Sequence, residues 1–496
     1  MVKREEDASP SAAEGDSAVG EPTASDHSVR TVAVAVTGGV FLGGVATGVA
    51  FPTLPLLDRV LGISAVMLGI VLAANRVARL VMNTPAGQVI DDRGARRPMI
   101  AGLFVQGLAP FGYVVGLHTP PVEVATLPLV GAVSAPGLVF VLARAFWGVG
   151  SAFVFVGAFA IITGVTTPET RGKWTGYMRG GQSLGFPAGL VVGGILTDVF
   201  DVQTAFLTAG TLALLAGFVA VVVLPDVRAE AGQRVPLREL PALARSTPGV
   251  VPLGVANGTI RLLFGGVLLT TAVKYAAQLD LQVGVLTAAG VSGLVMGGGV
   301  VVASVATVVS GRLSDRLEHR AAVTLPAFGL LAAGFAALAL VPSLVGVAAG
   351  VALVGAGTGG SGPTLLATLG DISPAGETGK FGGLYNVFGD VGLSVGPLVA
   401  FPAVTAAGYG ATYLACAGLA VACLLLVNAT LLGVDTDSAT DTDTATDTDT
   451  DTATDTGTDT DTDTDTHIHT DSAAGGETAG NAPPAPDAPD RDASHD

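Results

Sequence analysis

The chain alternates long apolar runs with short polar interruptions, and the runs have the length of membrane-crossing helices. About 20 mainly apolar residues are needed to cross roughly 30 Å of hydrocarbon. Twelve stretches meet that requirement: 32–54, 65–90, 98–117, 138–165, 172–196, 205–224, 250–273, 285–309, 321–341, 344–369, 381–401 and 410–432. The pattern predicts an all-α polytopic membrane protein. Residues 122–136 are apolar enough to blur the start of the fourth helix.

The polar interruptions set the domain boundaries. Residues 225–249, with Arg228, Arg234, Arg238 and Arg245, divide the spans six and six, into bundles at 31–224 and 250–433. Residues 1–30 form an acidic tail without the apolar core of a secretory signal, expected to be disordered. Residues 434–496 form a second tail, an Asp-Thr repeat at 435–465 followed by His467 and His469. Repeated like charge without apolar residues cannot bury enough surface to fold. This tail has no calcium-loop spacing, and two histidines are a weak metal signal, so hydration is its expected role.

Charge fixes the expected orientation. If both termini are cytoplasmic, that side collects Arg93, Arg96, Arg97, Arg171, Lys173, the linker arginines, Arg312, Arg316, Arg320 and Lys380; the other side holds Arg59 and Lys274. The positive-inside rule favours this arrangement in the cell membrane.

Composition narrows the function classes. Half of the 496 residues are apolar and 13% are charged, against about 25% in soluble domains; mean hydropathy is +0.61. The net charge of -17 comes mainly from the tails, with seven acids before Arg30 and 18 after Gly433 out of 41. No basic surface suited to nucleic acid is present. Cys416 and Cys423 are seven apart on one helical face, too far along a helix for a disulfide, and read as space-fillers. No nucleotide-binding loop or metal pattern appears, so no enzyme activity, cofactor or metal is expected.

The two halves repeat each other. Gly172, Lys173, Trp174, Thr175 and Gly176 open the fifth span as Gly379, Lys380, Phe381, Gly382 and Gly383 open the eleventh, with a constant offset of 207 that carries Gly185 onto Gly392 and Gly189 onto Gly396. Gly87 at the end of the second span likewise corresponds to Gly311 at the end of the eighth, in the stretch with Arg312, Asp315 and Arg316. Gly181 and Gly185 precede Pro187, as Gly392 and Gly396 precede Pro397. Such small-residue spacing allows close helix approach, either for gating movement or for simple packing.

The stretch 87–97 carries five charges and reads as a tight turn between two spans. Its Gly87, Asp91, Gly94, Arg96 and Arg97 resemble the helix 2–3 loop motif of the major facilitator superfamily, with Asp92 where a basic residue is usual. Arg144 followed by Gly148 resembles that family's helix 4 motif. The helix 5 glycines resemble its antiporter branches, although Phe186 and Pro187 depart from the usual Gly-Pro pair. The resemblance spans 32–432. It implies two pseudo-symmetric six-helix bundles alternating around a midplane solute site, without a cofactor and with the monomer as working unit. It further implies that Asp91 holds the inside-closed state against helix 11 and that Arg144 takes part in proton coupling; a structural hydrogen bond to a neighbouring helix is the other reading of Arg144. The acid-rich tails suit high salt, as in haloarchaea.

Arginines inside the spans are the informative residues, because an exposed arginine at mid-membrane costs at least ~2.5 kcal/mol on insertion scales. They are Arg76, Arg79, Arg144, Arg179 and Arg261. Asp390 is the mid-span acid. Helices 2 and 11 meet in the resembled fold, so Arg79 and Asp390 form a candidate gate pair, with a proton acceptor or a structural group as alternatives for Asp390. The excess of arginine makes an anionic solute the sharper expectation. Proton-coupled export of a small organic solute is the first functional reading. Symport uptake of an organic anion is the second, and a nontransporting receptor the different-class rival.

Overall fold

The computed structural model of the protein describes residues 24–128, 130–225, 245, 249–314, 316, 323–374 and 378–432. The Asp-Thr tail with His467 and His469, Arg228, Arg234, Arg238, Asp315 and Arg320 lie outside the described residues, as does the side chain of Arg59.

Among the described residues, ten helices of more than ten residues precede the last helical run: α1 (Ala24–Ala50), α2 (Ala65–Arg93), α3 (Arg96–His118), α4 (Ala135–Val165), α5 (Pro168–Val199), α6 (Val202–Val223), α7 (Val250–Gln278), α8 (Ala288–Ser314), α9 (Thr324–Leu340) and α10 (Leu344–Ile372). The last helical run, Thr378–Val427, is broken at Gly408, whose φ of 80° divides it into α11 (378–407) and α12 (409–427). Among the described residues nine helices are long and apolar enough to cross a membrane, counting the run through Gly408 once. α5 falls short because glycines, Gln182 and Pro187 dilute it, and α9 has 17 residues. With α5, α9 and the division at Gly408, the twelve expected spans are all present as helices.

Three boundaries differ from the sequence reading. α1 begins at Ala24, inside the stretch expected as tail, because no breaker separates it from the apolar run. The stretch 87–97 is mostly helical: α2 runs to Arg93, and the turn is confined to Gly94, with φ 81°, and Ala95. Gly87 is buried in the last turns of α2, and Asp91 is exposed there. The ambiguous apolar segment before α4 is neither helix nor span. It forms an antiparallel hairpin of β1 (Glu123–Leu127) and β2 (Gly131–Ser134). Pro120 and Pro121 follow the end of α3, where they cannot continue a helix, and Gly131, at φ 78°, reverses the chain.

Four of the helices that start at the end carrying the α1–α2 connection are capped by a side chain just before them. Ser64 accepts from the Met67 amide, Ser134 from Gly137, Asp201 from Thr204 and Ser343 from Gly346, opening α2, α4, α6 and α10. Each bond satisfies one of the amides a helix start leaves open.

Within the first half α1 lies on α5, α4 on α2 and α3, and α6 on α1 and α3; in the second, α7 lies on α11, α10 on α8 and α9, and α9 also on α12. The halves meet where α5 crosses α8 and where α2 crosses α11. Glycine makes the closest of these approaches possible. A Cβ at Gly185, Gly189 or Gly193 would sit 2.3, 2.2 or 2.1 Å from the carbonyl oxygens of Phe41, Val45 and Val49, so every fourth residue of α5 fits against every fourth residue of α1. Gly392 meets Gly258 and Gly396 meets Gly266 in the equivalent α11–α7 seam. The repeated glycines of the sequence therefore seat helices inside each half. Cys416 and Cys423 are free and buried on α12, in the core of the second half.

Candidate functional site

A cavity of about 810 Å³ lies between the two halves. Its first wall carries Thr47 from α1, Asn75, Arg76 and Arg79 from α2, Gln106 from α3 and Trp147, Ser151 and Phe155 from α4; α5 adds Gln182 and Ser183. Its second wall is built from α8, with Val300, Ala303, Ser304, Thr307 and Val308, and from Thr358 on α10.

One end is closed by contacts between the halves. Lys274, at the end of α7, forms an ion pair with Asp58, which follows α1, and lies 5.5 Å from the ring centroid of Phe401 on α11. Asp198, near the end of α5, accepts hydrogen bonds from the Thr287 amide at 2.6 Å, the Thr287 hydroxyl at 2.7 Å and the Gly290 amide at 2.7 Å. Gly290 is the third residue of α8, the amide a capping side chain normally serves. The cap of α8 is thus supplied by the other half of the molecule.

The backbone contact next to these locks obeys the internal repeat. A Cβ on Gly69 of α2 would meet the Pro397 carbonyl of α11 at 2.8 Å, and one on Gly293 of α8 would meet the Leu190 carbonyl of α5 at 2.5 Å. The α2-to-α8 offset of 224, fixed by Gly87 and Gly311, carries Gly69 onto Gly293, and the α5-to-α11 offset of 207 carries Leu190 onto Pro397. Pro187 also faces Gly297 of α8. Toward the opposite end Gly176 and Gly180 of α5 have no atom near an added Cβ, and Val308 of α8 is exposed. α5 and α8 therefore diverge, and the cavity opens at the end carrying the α2–α3 turn.

Four arginines cluster at this cavity: Arg76 and Arg79 line it, and Arg79, Arg144 and Arg261 all lie within electrostatic reach of Arg76, together with Asp390. Arg79 pairs with Asp390 across the two halves at 3.1 Å, with both side chains largely buried, and its guanidinium lies over Phe155. Arg144, 4% exposed, donates to the Asn75 side chain at 2.9 Å and, at 3.4 Å, to the Val71 and Leu72 carbonyls of α2. That geometry matches its structural reading, and Gly148 permits it, because a Cβ there would lie 2.3 Å from the Asn75 carbonyl. Arg261 donates to Asn257, whose amide nitrogen donates to the Tyr385 carbonyl of α11. It precedes a π-helical stretch, Leu262–Leu268, and packs against Gly389. Arg76 lines the cavity and makes no hydrogen bond or ion pair among the described residues.

Other expected residues sit elsewhere. Arg179 is exposed on α5 and is not among the side chains that line the cavity, although Gly176, Gly180 and Ser183 around it are. Arg96 donates to the Val221 carbonyl of α6, while Arg97, Arg312 and Arg316 are exposed. Gly311 lies near Pro363 of α10. Asp58, Lys274 and Asp198 escaped sequence reasoning, since each sits at the polar edge of a span where a charge needs no explanation.

Comparison with known proteins agrees with this architecture. The family model described as Major Facilitator Superfamily matches residues 36–397, with a second match over 264–460. "Multidrug resistance protein 2" of Bacillus subtilis is 24% identical over 197 residues, 40% of this chain and 44% of that protein. An uncharacterized MFS-type transporter of Methanocaldococcus jannaschii is 28% identical over 183 residues, 36% of this chain and 42% of that protein. "Quinolone resistance protein NorA" of Staphylococcus aureus is 24% identical over 187 residues, covering 38% and 43%. The matches thus span less than half the length of these curated relatives. Among solved structures, a bacterial homolog of the human lysosomal transporter Spinster, inward-facing and occupied, aligns with TM-score 0.61 and 14% identity over 82% of this chain and 96% of that one. The nucleoside transporter NupG aligns with TM-score 0.65 and 12% identity over 80% and 99%.

Proposed function

Because this chain belongs to the Major Facilitator Superfamily, we propose that it exports a small organic solute in exchange for protons, by exposing its central cavity to each side of the cell membrane in turn. It is a transporter of the multi-pass membrane type and not an enzyme. The observation that carries the reading is the cavity itself, shut at one end by locks built from both halves and open at the other. Carriers of parallel-repeat design work through such a geometry, rocking one bundle against the other around a midplane site.

With both termini in the cytoplasm, as the positive-inside bias favours, the open end faces inward. Resetting outward then requires release of Asp58 from Lys274 and of Asp198 from α8, and closure of α5 on α8 at the Gly176–Val308 end. Arg79 and Asp390 bridge the halves beside the cavity, so their pairing is sensitive to that movement, and protonation of Asp390 would release Arg79. This makes Asp390 the proposed proton site. The relatives named for multidrug and quinolone resistance support export as the direction. A monomer holds both halves of the site and is the proposed working unit.

The test is reconstitution of the purified chain into liposomes enclosing a pH-sensitive dye, with an imposed pH gradient and a panel of anionic, neutral and cationic organic solutes. Solute-dependent proton movement that disappears in Asp390→Asn is the expected result. Solute movement indifferent to the gradient would remove proton coupling, and a folded protein that moves no solute would remove transport.

A further inference from the structure

We propose that the cavity selects amphipathic organic monoanions, with the anionic group bound by the free guanidinium of Arg76 and the apolar body lying along α8. This deepens the transport reading of the same cavity and rests on it.

The four clustered arginines are not engaged alike. Arg79 is neutralised by Asp390, Arg144 is engaged by Asn75 and two α2 carbonyls, and Arg261 is engaged by Asn257. Arg76 alone of the four has no partner among the described residues, and it lines the open cavity. The cluster holds four cations and one carboxylate, so its field favours an anion whatever the occupant. A planar guanidinium with free donors suits a carboxylate or sulfonate in bidentate fashion.

A second, independent observation points to the same ligand. Gln106, 6% exposed and on the same cavity wall, has a side-chain oxygen buried without a hydrogen-bond partner. On the opposite wall the Thr358 hydroxyl is also buried and unpartnered. Protein interiors rarely leave such groups unsatisfied, and a solute with polar atoms at its charged end supplies what both lack. The Gln106 amide can present either its oxygen or its NH2 group, and the Thr358 hydroxyl can donate or accept.

The internal repeat supplies the third. Under the 224-residue offset Arg76 and Arg79 correspond to Val300 and Ala303 of α8, both in the cavity wall. The duplication that built the bundles has left arginines on one wall and uncharged side chains, Val300 and Ala303, at the corresponding places on the other. A solute matching both has one charged end and one apolar face, and about 810 Å³ accommodates a drug-sized molecule.

The test uses one ring in three charge states, 2-naphthoate, 2-naphthamide and naphthalen-2-ylmethylammonium, titrated against the full chain in nanodiscs by calorimetry, with chloride and acetate as controls. 2-Naphthoate is expected to bind wild type at least roughly tenfold more tightly than the amide or the cation, the scale of one charge-assisted hydrogen-bond pair. Arg76→Gln should erase that preference, Arg76→Lys retain part of it, and Thr358→Val weaken naphthoate binding severalfold. Equal binding of naphthoate and naphthamide, or a preference unchanged in Arg76→Gln, overturns the proposal. So does chloride binding that competes fully with naphthoate, which marks a counter-ion site only. Arg76→Lys guards against misreading a folding defect, and the melting temperature of each variant is measured alongside.

The two readings fail separately. Liposomes in which Arg76→Gln leaves the transport of anionic solutes unchanged would leave the carrier and sink the anion site. Arg76-dependent naphthoate binding without movement of any solute would do the reverse.

Discussion

Asp198→Ala offers the sharpest test of the closed end. The carboxylate takes three hydrogen bonds from the start of α8, two of them from backbone amides. Loss of a helix-capping side chain costs about 0.5–2 kcal/mol, and an anion at a helix N-terminus contributes about 0.3–1 kcal/mol where partly exposed. These overlap, so we take about 1–2 kcal/mol, which shifts the balance between closed and open states about 5- to 30-fold. Hydrogen–deuterium exchange reads that shift directly. Peptides covering 283–294 should exchange faster by that factor, and so should peptides from the facing turns of α5 around Leu190 and Gly194 and from the Lys274 end of α7, if the two locks open together. Peptides from the α9–α10 seam, inside one half, should not change. Faster exchange confined to Thr287 and Gly290 would show that Asp198 merely caps a helix and would refute its role as a lock.

Three further outcomes follow from the same geometry. Arg79→Asp or Asp390→Arg alone should cost about 1–3 kcal/mol, discounted from the ~3–5 kcal/mol of fully buried pairs because the two side chains are 20% and 15% exposed; the double exchange should restore transport, and its failure to do so would argue against pairing as their main function. Gly193→Ala, whose Cβ would lie 2.1 Å from the Val49 carbonyl, should lower the melting temperature well below that of Gly176→Ala, which meets nothing; overpacking of this kind costs about 1–3 kcal/mol. The Thr204 amide bonded to Asp201 holds that carboxyl below its usual range. Stability from this cap is therefore present above the ordinary aspartate pKa near ~3.9 and lost as pH falls through the lowered value. Asp201→Ala should reduce the melting temperature slightly at pH 7, and the difference should vanish in strong acid.

The parts of this molecule visible in the chain were those with a periodic or paired signature. Helix number followed from run length, because hydrocarbon thickness dictates it. Arg79 and Asp390 stood out as opposite charges within apolar spans, on helices that meet in the resembled fold. The glycines on the 207-residue offset were visible as a repeat, but their partners were not, since Gly185 lies against Phe41 and nothing in a linear pattern ties α5 to α1. Arg144 carried a motif and Arg76 did not, but neither signal told which guanidinium is held; packing shows Arg144 engaged with α2 and Arg76 facing the cavity. The hairpin before α4 was missed because an apolar segment between prolines has no period to betray it. Asp198 was hidden for a different reason. A helix normally carries its own cap a residue or so upstream, as Ser64 and Ser343 do, and no local rule places the cap of α8 on α5.

The two buried thiols of α12 have a practical meaning. They are the only cysteines in the 496 residues, and neither is presented to solvent, so the unaltered chain already serves as a quiet background for site-directed probes. A cysteine placed at Ser183 and another at Thr307, exposed on opposite walls near the cavity mouth, would carry spin labels or a fluorophore pair without removal of any native residue. The distance between them could then be followed through a transport cycle. In that setting even slow maleimide uptake by the wild-type chain becomes informative, because it records the moments at which α12 leaves its place in the core.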